Sequence, residues 1–354
     1  MSVAGSRTRR GNKLTMDDNG FAEEDDYPSG TQYLISKNNT SATIASVGAT
    51  IRSFTLNDQS YLDETPIDEM VQRARGQMLI PWPNRVADGR YNLREDSFQL
   101  PINEVELNNS IHGLVRWQEF QLMSRESDRL VLRYHLAPTP GWPFSLEITI
   151  TFQIFDALLK VEVHCRNKSR VSAPVAFGSH PYLKIPNATI ANCSLCIPAR
   201  KVWLVDAHKN PKILVDVTEA KSTPAKDGSD GEVEDLDFRT PRRLSDTYLD
   251  FAFTDLISSA SDEIMNALSE NFSGNFNRSY ITDGATEVGV VFDENFTHVQ
   301  AYFDSNKAGN DSIAIEPMTA PPNAFNLEIE DHLLGAKESR TFEWGIYVDQ
   351  RRLT

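Results

Sequence analysis

The stretch SLEITITFQIF at 145–155, followed after a turn by LLKVEVHCRN at 158–167, decides the fold class. Apolar Leu146, Ile148, Ile150, Phe152 and Ile154 alternate with Glu147, Thr149, Thr151 and Gln153. In the second run Leu159, Val161, Val163 and Cys165 alternate with Lys160, Glu162, His164 and Arg166. Successive strand side chains point to opposite faces, so this pattern describes strands buried on one side and wet on the other, the signature of antiparallel pairing. Helical periodicity is nearly absent. Its best instance is 261–272, where Ile264, Ala267, Leu268 and Phe272 share a helical spacing, and it reads as an insertion lying over the sheets. The expected fold is all-β: a large twisted antiparallel β-sandwich with a short helical insertion.

Working outward, residues 1–30 begin basic, turn acidic at Asp17, Asp18, Glu23, Glu24, Asp25 and Asp26, and hold few apolar side chains, so a disordered tail is expected there. Residues 31–354 are expected to form a single β-sandwich domain, long for such a unit but within its range. The polar stretch 219–237 reads as an exposed loop, since motifs on both sides of it belong together. Arg9 and Arg10 are followed by no apolar run, so no export signal is read and a cytoplasmic location is expected. A formal net charge of −15 argues against nucleic acid and anionic membranes as partners. Cys165, Cys193 and Cys196 form no disulfide framework, and the CSLC pair lacks the second half that a zinc site needs; reduced thiols and no metal are expected.

Five motifs carry candidate chemistry. In IAIEPMTAPPNAFN (313–326), Glu316 emerges from an apolar strand onto a proline-stiffened bend, where burial would move its proton affinity toward neutrality. Taken alone it is better read as a salt-bridged surface glutamate, and the other motifs change that weighing. His112 in NNSIHGLVRW (108–117) and His180 in FGSHPYLKI (177–185) sit at turns. His164 and His135 fall on the wet faces of alternating strands, and His208, His298 and His332 have no motif around them, so these five read as structural or surface groups. In GQMLIPWPNRVADGRYNL (76–93), Pro81 and Pro83 stiffen a turn that Asn84 and Arg85 leave, and a guanidinium held this way suits hydroxyl recognition. Asp250 in DTYLDFAFTDL (246–256) is a carboxylate among apolar neighbours and needs a partner or a ligand.

These motifs together resemble the aldose 1-epimerase, or galactose mutarotase, family from about residue 31 to the end. The family's order is kept: a PxxNR segment, a histidine-glycine segment, SHPYL for the usual SHPYF, an LDxAFTDL-like segment and a late IAIEP-like segment. The resemblance implies a supersandwich fold, with His180 the general acid at a sugar's ring oxygen and Glu316 the general base at its anomeric hydroxyl. It further implies that His112 positions and polarises the sugar, and that Arg85, Asn84 and Asp250 bind its hydroxyls. Leu183 stands where an aromatic is usual and Leu114 where some members have a second glycine, which bears on sugar preference and not on the titrating groups.

The chemistry asks for such a pair independently of the name. Exchanging anomers requires opening the pyranose ring, so one group removes the O1 proton while another donates to the ring oxygen, and a histidine and a buried glutamate titrate in the right range. The sequence reading puts acid and base on opposite sides of the sugar and needs no cofactor or metal. Trp82, Trp117, Trp142, Tyr302 and Phe303 are candidates to stack on the ring. The expected function is mutarotation of free aldohexoses such as glucose or galactose. Two alternatives stand beside it. One is a hexose 6-phosphate epimerase, for which Arg116 could meet the phosphate although PWPNRVADGRY resembles the free-sugar branch; the other is a non-catalytic carbohydrate-binding sandwich, which would have no use for a matched acid and base.

Overall fold

The two alternating runs pair as a hairpin inside a nine-stranded sheet, in a computed structural model that describes residues 27–222, 234–244, 248–258, 263–304 and 311–350. Leu146–Phe155 and Leu158–Asn167 join through Asp156 and Ala157, with Ile148 opposite Cys165, Ile150 opposite Val163 and Phe152 opposite Val161. This register puts Leu146, Ile148, Ile150, Phe152, Ile154, Leu159, Val161, Val163 and Cys165 on one face, and slipping one strand by one would turn its set to the other face. Leu158–Asn167 then pairs with Ser339–Gln350, and Thr286–Asp293 and Phe276–Thr282 continue the sheet.

A second, eight-stranded sheet runs Pro211–Asp216, Ala199–Val205, Tyr248–Leu256, His298–Asp304, Ile313–Met318, Gly178–Ser179 and Met78–Leu79, with Tyr182–Leu183 also pairing onto Ile313–Met318. Phe152, Val161, Val290, Trp344 and Ile346 of the first sheet and Phe253, Val299, Ala301, Ile313 and Ile315 of the second belong to one continuous core. Gln32–Lys37, Thr40–Ala45, Thr50–Leu56 and Gln59–Ser60 form a smaller sheet that adds Ile35, Ile44 and Phe54 to it. The fold is the antiparallel β-sandwich that the alternation implies.

The helical insertion is shorter than its sequence window. Glu263–Leu268 is helical and Ser269–Asn271 a 3-10 turn, so Met265 and Leu268 are buried while Ala267 faces solvent. With Phe272 they cover Tyr280, Val291 and Tyr347 on the outer face of the nine-stranded sheet. Adjacent to this cap, Arg278 bonds both Glu287 and the Tyr347 hydroxyl, and that hydroxyl donates to Glu287 at 2.6 Å.

Residues 1–26 of the expected tail and 223–233 of the expected loop lie outside the described residues. Residues 27–30 form a turn in which the Gly30 N–H donates to the Tyr27 carbonyl at 2.8 Å. Among the described residues no helix is long and apolar enough to cross a membrane.

Candidate active site

The register of three neighbouring strands builds a polar floor on the eight-stranded sheet. Asp250 lies opposite Tyr302, and one row along Gln300 lies between Ala252 and Glu316. Alternation sends Phe251, Phe253, Val299, Ala301, Phe303, Ile313 and Ile315 into the core and leaves Asp250, Gln300, Tyr302 and Glu316 on the other face. There they line a cavity of about 520 Å³, within the usual range for small-ligand sites.

Two interlocked segments raise one wall. Arg85–Ala87 pairs with Asn109–Ile111, the His112 N–H donates to the Asn84 carbonyl at 2.9 Å, and the Leu114 N–H donates to the Ile80 carbonyl at 2.7 Å. Asn84 and His112 take left-handed backbone angles, φ 51° and 65°. Gly113 follows at φ 71°, and a Cβ there would lie 2.1 Å from the Ile80 carbonyl oxygen, so only glycine fits. His180 comes from the opposite side. Gly178 pairs with Met318 and Leu79, Tyr182 pairs with Ala314, and the His180 carbonyl accepts the Gly76 N–H at 2.8 Å. The Tyr182 ring stacks on His180 at 5.0 Å and the His112 ring meets it edge-on at 5.2 Å, which fixes the imidazole from two directions.

All six residues singled out in the sequence line this cavity. His180 Nε2 lies 3.3 Å from Glu316 Oε1. The two groups that sequence reading put on opposite sides of a sugar are therefore neighbours. Arg85 grips Glu104 through Nε and Nη2, both at 2.9 Å, and its Nη1 is 3.8 Å from Asp250. Asp250 also accepts from Gln300 Nε2 at 2.8 Å and lies 3.8 Å from Lys209 Nζ. Asn84 uses its side-chain oxygen on the Arg85 N–H at 2.9 Å, so it is the joint of the wall as well as part of its lining.

Burial governs the titration of the centre. It raises Glu316 well above the ordinary carboxylate value, Asp250 adds to the rise, and Arg85 offsets part of it. Burial likewise lowers His180 to about 3, helped by the positive charge of Arg116, and holds His112 well below its ordinary value. Desolvation thus penalises both charged forms of the contacting Glu316–His180 pair. Glu316 Oε2, His180 Nδ1, His112 Nδ1 and Gln300 Oε1 are buried and have no protein hydrogen-bond partner among the described residues. All four residues border the cavity, so these atoms suit a ligand rich in hydroxyls. The arrangement can move a proton on and off two adjacent oxygens.

Of the aromatic candidates only Tyr302 lines the cavity. Trp82 packs edge-on against Phe325, Trp142 donates to the Pro174 carbonyl at 3.2 Å and Phe303 is core, while Trp117 is 48% exposed beside Arg116. His164 bonds Thr341 and His135 bonds Ser145, both away from the cavity. His298 is buried next to Trp203 and His332 next to Glu328, each an internal structural group. Sequence reasoning missed Gln300, Tyr182 and Lys209. The glutamine was visible only as the one polar residue in the middle of HVQAY, which alternation alone would have turned to the open face.

A family model for aldose 1-epimerase matches residues 31–347. The chain is 30% identical over 311 residues to the uncharacterized protein YihR of Escherichia coli K12, covering 88% of this chain and 91% of that protein. Its fold is similar to a galactose mutarotase-like protein from Clostridium acetobutylicum, with a TM-score of 0.75 at 16% identity over 91% of this chain and 96% of the other. It is also similar to the galactose 1-epimerase of Lactobacillus acidophilus, with a TM-score of 0.71 at 15% identity over 93% and 96%.

Proposed function

The chain belongs to the aldose 1-epimerase family, and on that premise we propose that it interconverts the α and β anomers of an aldohexose, with Glu316 as base and His180 as acid. Glu316 takes the proton from the anomeric hydroxyl as the electron pair of that O–H bond becomes the second bond of a C1 carbonyl. The C1 to ring-oxygen bond breaks, and the ring oxygen receives a proton from His180. Rotation about C1–C2 turns the other carbonyl face toward the ring oxygen, and the same transfers in reverse close the ring.

What carries this reading is the 3.3 Å contact between Glu316 and His180 at the bottom of a polar cavity. The two oxygens that exchange protons are both bonded to C1, so two adjacent groups can serve them side by side. The reaction needs one proton on the pair, carried by the histidine in the productive form, and each turnover returns it. Asp250, Arg85 and Gln300 offer one carboxylate and several N–H donors to the remaining hydroxyls, and Asn84 sets the wall they stand on. His112 holds the acid in orientation and adds a ring nitrogen to the sugar's surroundings. Fixing all of these before the sugar arrives supplies much of the acceleration.

Polarimetry of freshly dissolved α-D-glucose and α-D-galactose tests the proposal. Faster approach to the same final rotation, lost in Glu316→Gln, is the expected result; no acceleration on any aldose overturns it.

A further inference from the structure

We infer that Arg75, which lies outside the cavity lining, is a positioning residue of the proton-transfer pair: it clamps the Tyr182 ring on which the His180 imidazole lies. The inference deepens the epimerase reading and rests on it.

The Arg75 guanidinium sits over the Tyr182 ring, 4.8 Å from its centre, and the His180 imidazole is stacked on the same ring within 7° of parallel. Arg75 donates through Nε to Asp63 at 2.9 Å, with Nη2 at the same distance, and Asp63 also accepts from the Ser312 hydroxyl at 2.8 Å. The Asp63 N–H donates to the Tyr182 carbonyl at 2.9 Å, so the anchor of the guanidinium is registered to the residue whose ring it covers. Ser312 immediately precedes Ile313–Met318, the strand of Glu316, which ties the clamp to both members of the pair. The backbone is committed as well. Arg73 and Ala74 take left-handed angles, φ 52° and 56°, and Gly76 follows at 68° with its Cβ position 2.0 Å from the Ile51 carbonyl oxygen. Side-chain-bearing residues in that region are strained, and the turn they make presents Arg75 to Tyr182 while the Gly76 N–H holds the His180 carbonyl.

A guanidinium held on an aromatic ring acts in two ways on an imidazole stacked there. It fixes the ring that fixes the imidazole plane, and proton transfer slows steeply when donor and acceptor lose alignment. It also keeps a positive charge near the imidazole, so that a proton taken up there is given back more readily. Burial is the largest influence against protonating His180, and the charges of Arg116, Arg75 and Arg85 add to it. Glu316, His112 and Tyr182 are the other titratable groups facing the imidazole, and each meets it directly, whereas Arg75 reaches it through Tyr182.

The test pairs anomer exchange of α-D-glucose and α-D-galactose with an NMR titration of the His180 ring nitrogens, in wild type, Arg75→Gln and Arg75→Lys, each checked for an intact unfolding transition. Arg75→Gln is expected to lower kcat roughly tenfold with KM within about twofold, since no contact to the sugar is lost, and to move the His180 titration to higher pH. Arg75→Lys should hold that titration near its wild-type place, because the charge remains, and should recover only part of kcat, because the planar stack does not. A merely structural role would lower the Tm of both variants and leave the His180 titration of the folded protein where it is. That result, a loss carried by KM with kcat intact, or the same titration in Arg75→Lys as in Arg75→Gln overturns the inference and leaves the epimerase reading standing. Should Arg75→Gln not fold, Arg75→Lys decides: a severalfold loss of kcat at unchanged KM supports the clamp, and an unchanged kcat overturns it. No exchange above the uncatalysed rate by the wild type on either sugar removes both readings.

Discussion

Glu287 and Glu316 are both carboxylates with almost no solvent exposure, 1% and 2%, one on each sheet, and their surroundings are opposite. Glu287 is bonded by the Arg278 guanidinium and by the Tyr347 hydroxyl. Glu316 has a neutral imidazole at 3.3 Å, while the nearby Arg85 is engaged by Glu104 and Asp250, and Asp250 repels it. Burial alone therefore does not make a carboxylate reactive. A guanidinium and a hydroxyl take up Glu287, whereas Glu316, with no cation dedicated to it, is raised by burial well above the ordinary carboxylate value.

The contrast fails first if the two sites respond alike to loss of charge. Glu287→Gln leaves Arg278 buried without its carboxylate and should cost about 3 kcal/mol of folding stability, seen as a lower Tm, with the rate per folded molecule retained. An unchanged Tm would show that pairing is not what holds Glu287. Glu316→Gln should do the reverse, lowering the rate of anomer exchange at least about a hundredfold, or ~2.7 kcal/mol in the barrier, without loss of stability.

The sign of a pH effect sharpens the same comparison. Glu316 binds its proton more tightly folded than at the ordinary value of 4.5, so the stability this proton contributes is complete below that pH and is lost as pH rises through the raised value. The Tm of Glu316→Gln should accordingly gain on the wild type as pH increases. His180 and His298 behave oppositely: each is held neutral down to about 3 from an ordinary 6.5, so stability is complete above 6.5 and falls as the solution is acidified toward 3. His180→Asn should slow exchange roughly tenfold to a hundredfold and make the acid decline in Tm shallower, measured between neutral and mildly acid buffer. The smallest effect belongs to His164→Asn, whose ring only meets Thr341 on an open sheet face; both rate and Tm should stay within about 0.5 kcal/mol of wild type.

What could be read from the sequence was whatever is written locally. The hairpin at 145–167 announces itself because its period of two needs no distant information, and Asn84, His112 and His180 have proline and glycine neighbours that mark them, whereas Glu316, read at a strand end on a proline bend, lies inside Ile313–Met318, which runs on through Pro317. Gln300 and Tyr182 become site residues only through the register of their strands against Ile313–Met318, and Lys209 reaches Asp250 from a loop about forty residues away along the chain. Trp82 and Trp142 show the converse. Both stand next to prolines and read as candidate cavity walls, yet each is buried in the core of the sandwich. In the insertion the helix Glu263–Leu268 is phased so that Met265 and Leu268 face the sheet and Ala267 faces solvent, a rotation the spacing of apolar residues did not fix.

The floor of the cavity and the hydrophobic core are the two faces of the same three strands, which has a consequence for how this chain can change over generations. Adding or deleting one residue within Tyr248–Leu256, His298–Asp304 or Ile313–Met318 would exchange the faces, sending Asp250, Gln300 or Glu316 inward and Phe251, Ala301 or Ile315 into the cavity. Chemistry and folding would be lost in one event, so point substitutions on the floor and changes in the segments above it are the alterations that leave the core in register. The segment carrying Arg116 is one of these, and it can change while Glu316 and His180 stay in register on and beside the floor.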